Sequence, residues 1–204
     1  MYETTKRAFD FFCAAWGLVL LSPVLILASI AIKLDSPGPI FYRGPRVGKN
    51  GKLFDILKFR TMRNDADSIS ASSSCGDGDP RVTKLGEFLR KTKINELPQL
   101  VNVLLGEMSL VGPRPQVKWD VDNYTEEERV ILTVPPGITD FASIEYHDEG
   151  KILAGAEDPD KAYIELIRPG KIRLQLKYIR ERSLWTDFKI LFRTVSVLFQ
   201  SRTS

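Results

Sequence analysis

An uncharged run near the N-terminus constrains this chain more than any other feature. It covers residues 11–32, between Asp10 and Lys33, and as a helix it would measure roughly 33 Å, enough to cross a bilayer. A secretory signal is disfavoured because the run is long for such a segment and no good small-residue cleavage pattern follows it. The remaining alternative is a buried core helix of a soluble protein.

Ser22 and Pro23 lie near the middle of this run and predict a break in the helix. Proline removes one backbone hydrogen bond and clashes with the preceding turn. The segment then either spans the membrane with a kink or bends back and leaves through the face it entered. Length alone favours spanning, and the flanking charges barely favour one orientation.

The rest of the chain has an ordinary globular composition, with 43% hydrophobic and 27% charged residues. Its two cysteines, Cys13 and Cys75, provide neither a disulfide framework nor a zinc-binding spacing. This excludes a secreted, disulfide-stapled protein. The net charge of +3 hides strong segregation, because residues 33–115 carry +5, residues 116–167 carry −9 and residues 168–204 carry +7.

Two segments after the apolar run predict a β-hairpin. Apolar residues roughly alternate in residues 40–43 and 52–60, and a glycine-rich linker separates them. Lys58 and Arg60 are two positions apart, so on a strand they would point to one face. The pair either converges on one anion or forms a solvated basic edge that limits strand pairing.

Residues 64–80 are rich in Ser, Gly and Asp and lack hydrophobic periodicity. This composition predicts a mobile surface loop. Asp65 and Asp67 could be taken for the acidic pair that many nucleotide-sugar enzymes use on a metal. So short a match in an acidic loop often occurs by chance, and we favour the loop interpretation.

The next segment predicts a helix with clear end signals. Asn95 is a good N-cap, Pro98 lies within the first turn and Gly106 is placed to end the helix. The N-terminus of such a helix can bind an anion, and Glu96 with nearby cations would suit a metal-bridged phosphate. A capped amphipathic helix with a basic flank is the alternative. The nearby cations are Arg81, Lys84, Arg90, Lys91 and Lys93.

Arg114 stands between two prolines, which fix the backbone on either side of it. A guanidinium held on such a stiff turn suits a bidentate grip on a phosphate. Together with the cations before it and the apolar run, Arg114 indicates phosphate chemistry at a membrane surface.

The motifs, taken in order, resemble the bacterial sugar transferases called monotopic phosphoglycosyl transferases. The similarity covers essentially the whole chain. The matching strings are Lys-Phe-Arg-Thr-Met at 58–62, Asp-Pro-Arg at 79–81, Leu-Arg-Lys-Thr at 89–92, Glu-Leu-Pro-Gln-Leu at 96–100, Gly-Glu-Met-Ser-Leu-Val-Gly-Pro-Arg-Pro at 106–115 and Pro-Gly-Ile-Thr at 136–139.

The resemblance implies transfer of a sugar-1-phosphate from a UDP-sugar to undecaprenyl phosphate, with release of UMP. This step would initiate a surface glycan such as exopolysaccharide, capsule or O-antigen. The expected partners are the two substrates, membrane lipids and downstream glycosyltransferases, while homo-oligomerisation stays open. The sequence does not specify the sugar.

The resemblance also implies a fold and a location. We expect a mainly α-helical monotopic protein with a small β-hairpin, on the cytoplasmic face of a bacterial inner membrane. The N-terminal helix would be re-entrant and broken at Ser22 and Pro23. Three segments follow: a re-entrant membrane helix (1–36), a cytoplasmic catalytic domain (37–167) and basic amphipathic membrane-surface helices (168–204).

Site roles follow from the same resemblance. In this family an Asp before Glu-Leu-Pro-Gln attacks the β-phosphate of the UDP-sugar, and the Glu helps to hold Mg²⁺. Carried over by position, Asn95 occupies the nucleophile position and Glu96 is the magnesium ligand. The expected substrate-binding residues are Lys58, Arg60, Asp79, Arg81, Arg90 and Arg114.

Asn95 is the main departure from the family pattern. An amide oxygen is a poor nucleophile, although asparagine caps a helix about as well as aspartate. Three explanations remain: an engineered substrate-trapping variant, a natural branch with another nucleophile or direct attack by the lipid phosphate, and an inactive relative that only binds. Glu96 cannot simply replace its neighbour, because adjacent helical residues point about 100° apart.

Two smaller departures follow the Pro-Gly-Ile-Thr string. Asp140 and Phe141 stand where family members often have glycine, and residues 144–149 are acidic where we expect a basic residue. These differences would alter the choice of sugar. His147 is the only histidine, and an exposed turn residue is favoured over a general base.

From Arg168 onward, basic and apolar residues interleave. The pattern predicts amphipathic helices that lie on an anionic membrane surface. Helices that pack on the core with their cations in solvent are the alternative. We do not expect nucleic-acid binding, because no base-stacking or groove-reading motif accompanies the charge.

Overall fold

The uncharged run forms two helices in the computed structural model, which describes residues 2–69 and 76–200. Helix α1 covers Tyr2–Leu20 and α2 covers Ser22–Asp35, with a bend of 61° between them. This confirms the predicted break, since Pro23 lies in the first turn of α2 and the Ser22 hydroxyl donates to the Val19 carbonyl at 2.7 Å. Among the described residues no single helix is long and apolar enough to cross a bilayer, although this bent pair together satisfies length and composition.

The predicted hairpin is confirmed. Strand β1 (Phe41–Val47) pairs antiparallel with β2 (Leu53–Phe59) across a 3₁₀ turn at Lys49–Gly51. Asn50 and Gly51 take left-handed backbone angles there, which both residue types tolerate. Lys58 lies near the end of β2 and is half-buried there.

A second, parallel pair of strands joins β3 (Ser109–Val111) to β4 (Gly137–Thr139). Glycine is required at this junction, because a Cβ atom on Gly137 would lie 2.1 Å from the backbone nitrogen of Gly112. The close approach places the turn that contains Arg114 directly beside the start of β4.

Short helices account for most of the remaining chain. They are α3 (Ala66–Ile69), α4 (Lys84–Lys91), α5 (Gln99–Leu105), α6 (Lys118–Asp122), α7 (Phe141–Glu145), α8 (Glu149–Ile152) and α9 (Pro159–Ala162). Further turns of 3₁₀ helix lie at Ile94–Glu96 and Glu128–Thr133, and a π-helical turn at Tyr163–Ile167 leads into the C-terminal region.

The C-terminal region forms α10 (Arg168–Glu181) and α11 (Leu184–Gln200), which confirms that this stretch is helical. One face of α10 buries the polar side chains Lys171, Gln175 and Tyr178, which find hydrogen-bond partners in the protein. Helices α1, α2 and α11 leave large apolar side chains exposed. Among them are Phe12, Trp16, Leu20, Leu27, Leu34, Trp185 and Phe192.

The central core forms where α1 packs on α5 and β2. Ala14, Ile56, Leu100, Val103 and Met108 are buried in one cluster there. The chain is thus mostly helical with a small antiparallel hairpin, as predicted. The division into three segments stays a prediction.

Part of the predicted loop at 64–80 lies outside the described residues, because 70–75, including Cys75, are not described. In the part that is described, Asp65 pairs with Arg63 at 3.2 Å. Residues 201–204 of the predicted C-terminal segment also lie outside the described residues.

Candidate active site

One large cleft, of about 2450 Å³, opens beside the hairpin. Its walls come from β2, α4, the turn at Ile94–Glu96, the Arg114 turn, α7 and α8. All of the predicted catalytic and substrate-binding residues line it. They are Lys58, Arg60, Asp79, Arg81, Arg90, Asn95, Glu96 and Arg114.

Glu96 lies at the centre of a dense group of donors in this cleft. Its Oε1 accepts hydrogen bonds from Lys58 Nζ at 3.1 Å and from Arg114 Nη2. Its Oε2 accepts from Arg114 Nη2 at 2.6 Å and from Gln99 Nε2 at 2.7 Å. We call Lys58, Glu96, Gln99 and Arg114 the cleft cluster.

The protonation states of the cleft cluster follow from burial and charge. Burial alone would raise the pKa of Glu96, but Arg114 and Lys58 outweigh it and hold the pKa well below its usual range. Burial lowers the pKa of Lys58 to about 8, against the opposing effect of Glu96. The carboxylate is therefore ionised at neutral pH, and Lys58 titrates close to the physiological range.

Besides Glu96, two residues hold Arg114 in place. Its Nη1 donates to the Ile138 carbonyl at 3.1 Å, and its backbone N–H lies 3.4 Å from Asp140 Oδ2. Asp140 is fully buried and caps α7 by accepting the Ser143 N–H at 2.6 Å. The departure at Asp140 thus serves to cap a helix and hold the Arg114 turn, while its predicted effect on sugar choice stays a prediction.

The predicted helix cap at Asn95 is wrong. Residues 94–96 form a separate 3₁₀ turn, and α5 begins only at Gln99, with Pro98 at its N-cap position. The turn starts after Lys93, whose left-handed φ of +57° separates the turn from α4. Gly106 ends α5 as predicted, with φ of +83°.

The Asn95 side chain does not cap α5, and it lines the cleft instead. It is 8% exposed, and its Oδ1 atom is buried without a hydrogen-bond partner. A buried polar atom without a partner is costly, and such atoms often mark a ligand site. Asn95 therefore places an acceptor atom without a partner at the wall of the cleft.

Lys58 and Arg60 do not converge on one anion as one interpretation predicted. Strand β2 ends at Phe59, and the Arg60 guanidinium turns to the C-terminal end of α2. There it donates to the carbonyl oxygens of Pro37 at 2.5 Å and Ser36 at 2.7 Å. Arg60 thus hydrogen-bonds the carbonyl groups just after α2. Of the two cations, Lys58 is the one that contacts Glu96.

The other predicted binding residues lie in a separate part of the cleft wall. Asp79 and Arg81 form an ion pair at 2.6 Å, and Arg90 Nε donates to Thr61 Oγ1 at 2.9 Å. His147 lies in the turn after α7, with its Nδ1 atom 3.1 Å from the Ile144 carbonyl. The roles of Asp79, Arg81 and Arg90 in substrate binding stay predictions.

Sequence reasoning missed two residues of this site, Arg46 and Gln99. Burial lowers the pKa of Arg46, which lies within electrostatic reach of Glu96 and Arg114. No local signal marked Arg46, because only hairpin pairing brings it to the cleft. Gln99 was visible within the Leu-Pro-Gln string, but its contact with Glu96 depends on the separate 3₁₀ turn.

The magnesium prediction meets a difficulty at Glu96. A carboxylate offers about four lone-pair positions, and four donor contacts already occupy those of Glu96. The described residues also contain no group of three or more His, Cys, Asp or Glu side chains placed to hold a metal. The cleft as arranged does not fit a resident magnesium ion.

Comparison with known proteins agrees with the motifs. The family model described as bacterial sugar transferase matches residues 1–201. The chain is 42% identical over 197 residues to a UDP-glucose:undecaprenyl-phosphate glucose-1-phosphate transferase of Escherichia coli K12, covering 93% of this chain and 39% of that protein. A Caulobacter vibrioides enzyme of the same name is 41% identical over 201 residues, covering 96% and 70%.

A third relative differs in its sugar. It is a UDP-N-acetylgalactosamine-undecaprenyl-phosphate N-acetylgalactosaminephosphotransferase of Aeromonas hydrophila, 37% identical over 201 residues that cover 97% of this chain and 44% of that protein. The chain thus spans less than half the length of the Escherichia coli and Aeromonas relatives. The relatives' names agree on the lipid phosphate and differ in the sugar.

Proposed function

Because the chain belongs to the bacterial sugar transferase family, we propose that it transfers a sugar-1-phosphate from a UDP-sugar to undecaprenyl phosphate and releases UMP. The observation that supports this most is the cleft cluster, where half-buried Lys58 and Arg114 both contact the one carboxylate of Glu96. Cations fixed in a cleft of this size suit the phosphates of a nucleotide sugar. The product would initiate a surface glycan.

Asn95 decides which chemical route the proposal takes. An asparagine cannot form an acyl phosphate, so we propose direct attack by the lipid phosphate. A phosphate oxygen of the lipid bonds to the β-phosphorus of the UDP-sugar, while the bond from that phosphorus to the UMP oxygen breaks. UMP leaves with the electron pair, and the sugar becomes joined to the lipid through a diphosphate.

The residues of the cleft would bind and orient the reacting groups. Arg114 is held from three sides and would hold the diphosphate in one orientation. Lys58, protonated below about pH 8, would balance the charge that builds on the departing UMP. The unpartnered Oδ1 atom of Asn95 would accept a hydrogen bond from a hydroxyl of the sugar.

The apolar surface supports a location at the membrane. The bent pair of α1 and α2 exposes large apolar residues such as Trp16, Leu20 and Leu27, and α11 exposes Trp185 and Phe192. We propose that the pair is re-entrant and that α10 and α11 lie at the cytoplasmic face of the inner membrane. Labelling of Tyr2 and Gln200 replaced by cysteine would then occur from the same side, and labelling from opposite sides would contradict it.

A second candidate function rests on the Asn95 departure. The chain would bind a UDP-sugar and the lipid phosphate without turnover, as a trapped or inactive relative. The buried, cleft-lining position of Asn95 favours this alternative because the residue stands where the family has its nucleophile. Both functions use the same binding residues, so only turnover separates them.

The test is UMP release from a panel of UDP-sugars with undecaprenyl phosphate, with and without Mg²⁺. We expect the chain as written to release UMP without forming a covalent phospho-sugar on the protein, and Asn95→Asp to form that adduct. Asn123→Asp is the matched control, since it adds the same charge at an exposed residue outside the cleft. Release by Asn95→Asp alone would favour the second candidate.

A further inference from the structure

We propose that Glu96 is an internal occupant of the anion site, which a diphosphate must displace from Arg114 and Lys58. The inference rests on the proposed function, because the displacing group is the diphosphate of the nucleotide sugar. It gives Glu96 a role different from the predicted metal ligand. The contacts, the local charge and the position of Gln99 support it.

The contacts show that the carboxylate occupies donors that a phosphate would need. Arg114 Nη2 touches both oxygens of Glu96, and Lys58 Nζ lies 3.1 Å from one of them. The side chains of Lys58 and Arg114 are 21% and 25% exposed, so they remain open to the cleft. A phosphate approaching these two cations therefore meets donors that already hold an anion.

The local charge favours exchange. Lys58 and Arg114 contact Glu96, while Arg46 and Lys93 lie within its electrostatic reach and also line the cleft. Other carboxylates also act on two of these cations: Asp148 and Glu149 on Lys93, and Glu149 and Asp140 on Arg114. The two cations that contact Glu96 directly still outnumber it, and its neighbour Asn95 is neutral. A diphosphate brings more negative charge and more acceptor oxygens than a carboxylate, so it satisfies these donors better.

Gln99 provides a place for the displaced carboxylate. Its side chain is fully buried, and its Nε2 donates to Glu96 Oε2 at 2.7 Å. Gln99 is uncharged, so it does not compete for the phosphate when Arg114 changes partner. The carboxylate can then turn towards Gln99 without being left buried and unpaired.

The experiment measures UDP binding by calorimetry with the full chain in detergent, in EDTA and in Mg²⁺. Glu96→Gln keeps the shape of the side chain and removes its charge. We expect it to bind UDP about tenfold more tightly than the wild-type chain in EDTA, because the cations no longer have an internal partner. A metal ligand predicts the opposite: unchanged binding in EDTA and weaker binding in Mg²⁺, which would overturn the proposal.

Two further variants control the result. Glu107→Gln removes the same charge from a residue that contacts Asn102 and does not line the cleft. An equal gain in UDP affinity in that variant would show an effect of net charge, and it would overturn the proposal that Glu96 occupies the anion site. Glu96→Asp keeps the charge on a shorter side chain that cannot bridge Arg114 and Gln99 together. We expect a smaller gain in UDP affinity for Glu96→Asp than for Glu96→Gln. The Asp variant serves as the test if Glu96→Gln does not fold.

Pyrophosphate is the second probe, because it has the diphosphate without the nucleoside. Tighter pyrophosphate binding by Glu96→Gln without any UDP binding would support the occupancy and count against the proposed substrate. Tight UDP binding with no UMP release would leave the occupancy intact and favour the binding-only alternative. Equal affinities of the wild-type chain and Glu96→Gln for both probes would overturn the occupancy.

Discussion

Two groups of charged residues differ in how their charge is balanced. In the cleft cluster, Lys58 and Arg114 contact the single carboxylate of Glu96. In a second group, which we call the interhelix cluster, Lys6 contacts two carboxylates. Lys6 Nζ lies 2.8 Å from Asp187 and 3.8 Å from Asp10.

Neutral donors complete the interhelix cluster. The hydroxyls of Tyr178 and Tyr2 donate to Asp187 at 2.8 and 3.1 Å, and the Ser109 hydroxyl donates to Asp10 at 2.7 Å. The group joins α1, α10, α11 and β3, and none of its members lines the large cleft.

The interhelix cluster and the cleft cluster are suited to different purposes. The interhelix cluster is closed, and hydroxyl groups satisfy its carboxylates, so it stabilises helix packing. The cleft cluster is open on one side and has more cations than its one carboxylate can neutralise. A surplus of charge beside a cavity is suited to a ligand, whereas a closed and satisfied network is suited to stability.

Removing one lysine from each group gives the sharpest contrast. Lys6→Met leaves two buried carboxylates without their cation, and we expect a loss of about 3–5 kcal/mol in the free energy of unfolding. Lys58→Met leaves Arg114 on Glu96 and should cost less than about 1 kcal/mol. Denaturant unfolding in detergent measures both, and equal losses would break the comparison.

Arg114→Lys tests the open side of the cleft. Lysine cannot make the two-pronged contact of a guanidinium, so UDP affinity should fall about tenfold while the unfolding midpoint changes little. Arg168→Lys is the matched control. Arg168 pairs with Asp120 and Glu128 outside the cleft, and its replacement should leave UDP affinity unchanged.

The pH dependence of UDP binding depends on Lys58. Burial lowers its pKa to about 8, so the ammonium is charged below that pH and neutral above it. UDP affinity should therefore fall by about fivefold as pH rises from 7 to 9. Lys58→Arg stays protonated and should flatten the profile. A profile that is unchanged by this substitution would assign the effect to another group.

Tyr2→Phe should have the smallest effect. The substitution removes one hydroxyl from Asp187, which keeps Lys6 and Tyr178 as partners. We expect a loss of about 0.5 kcal/mol in unfolding free energy and no change in UDP affinity. A change in UDP affinity would show that the two groups are coupled.

Local patterns predicted much of the fold. The break at Ser22 and Pro23, the hairpin and the C-terminal helices all depend on residue types at short range, such as proline, a glycine-rich linker and apolar periodicity. The cap at Asn95 was predicted wrongly for a physical reason. Residues 94–96 wind as a separate 3₁₀ turn and α5 starts only at Gln99, and the residue types at these positions do not signal that change of winding.

The sequence by itself determined the family and the residue types of the cleft, including the asparagine at position 95. These are properties of residue identity and order, which motifs record directly. Only the tertiary structure decided that Arg60 closes a helix end, that Arg46 joins the cleft, and that the acceptors of Glu96 are already occupied. Such contacts join donors and acceptors that are far apart in the sequence, and local sequence patterns do not constrain them.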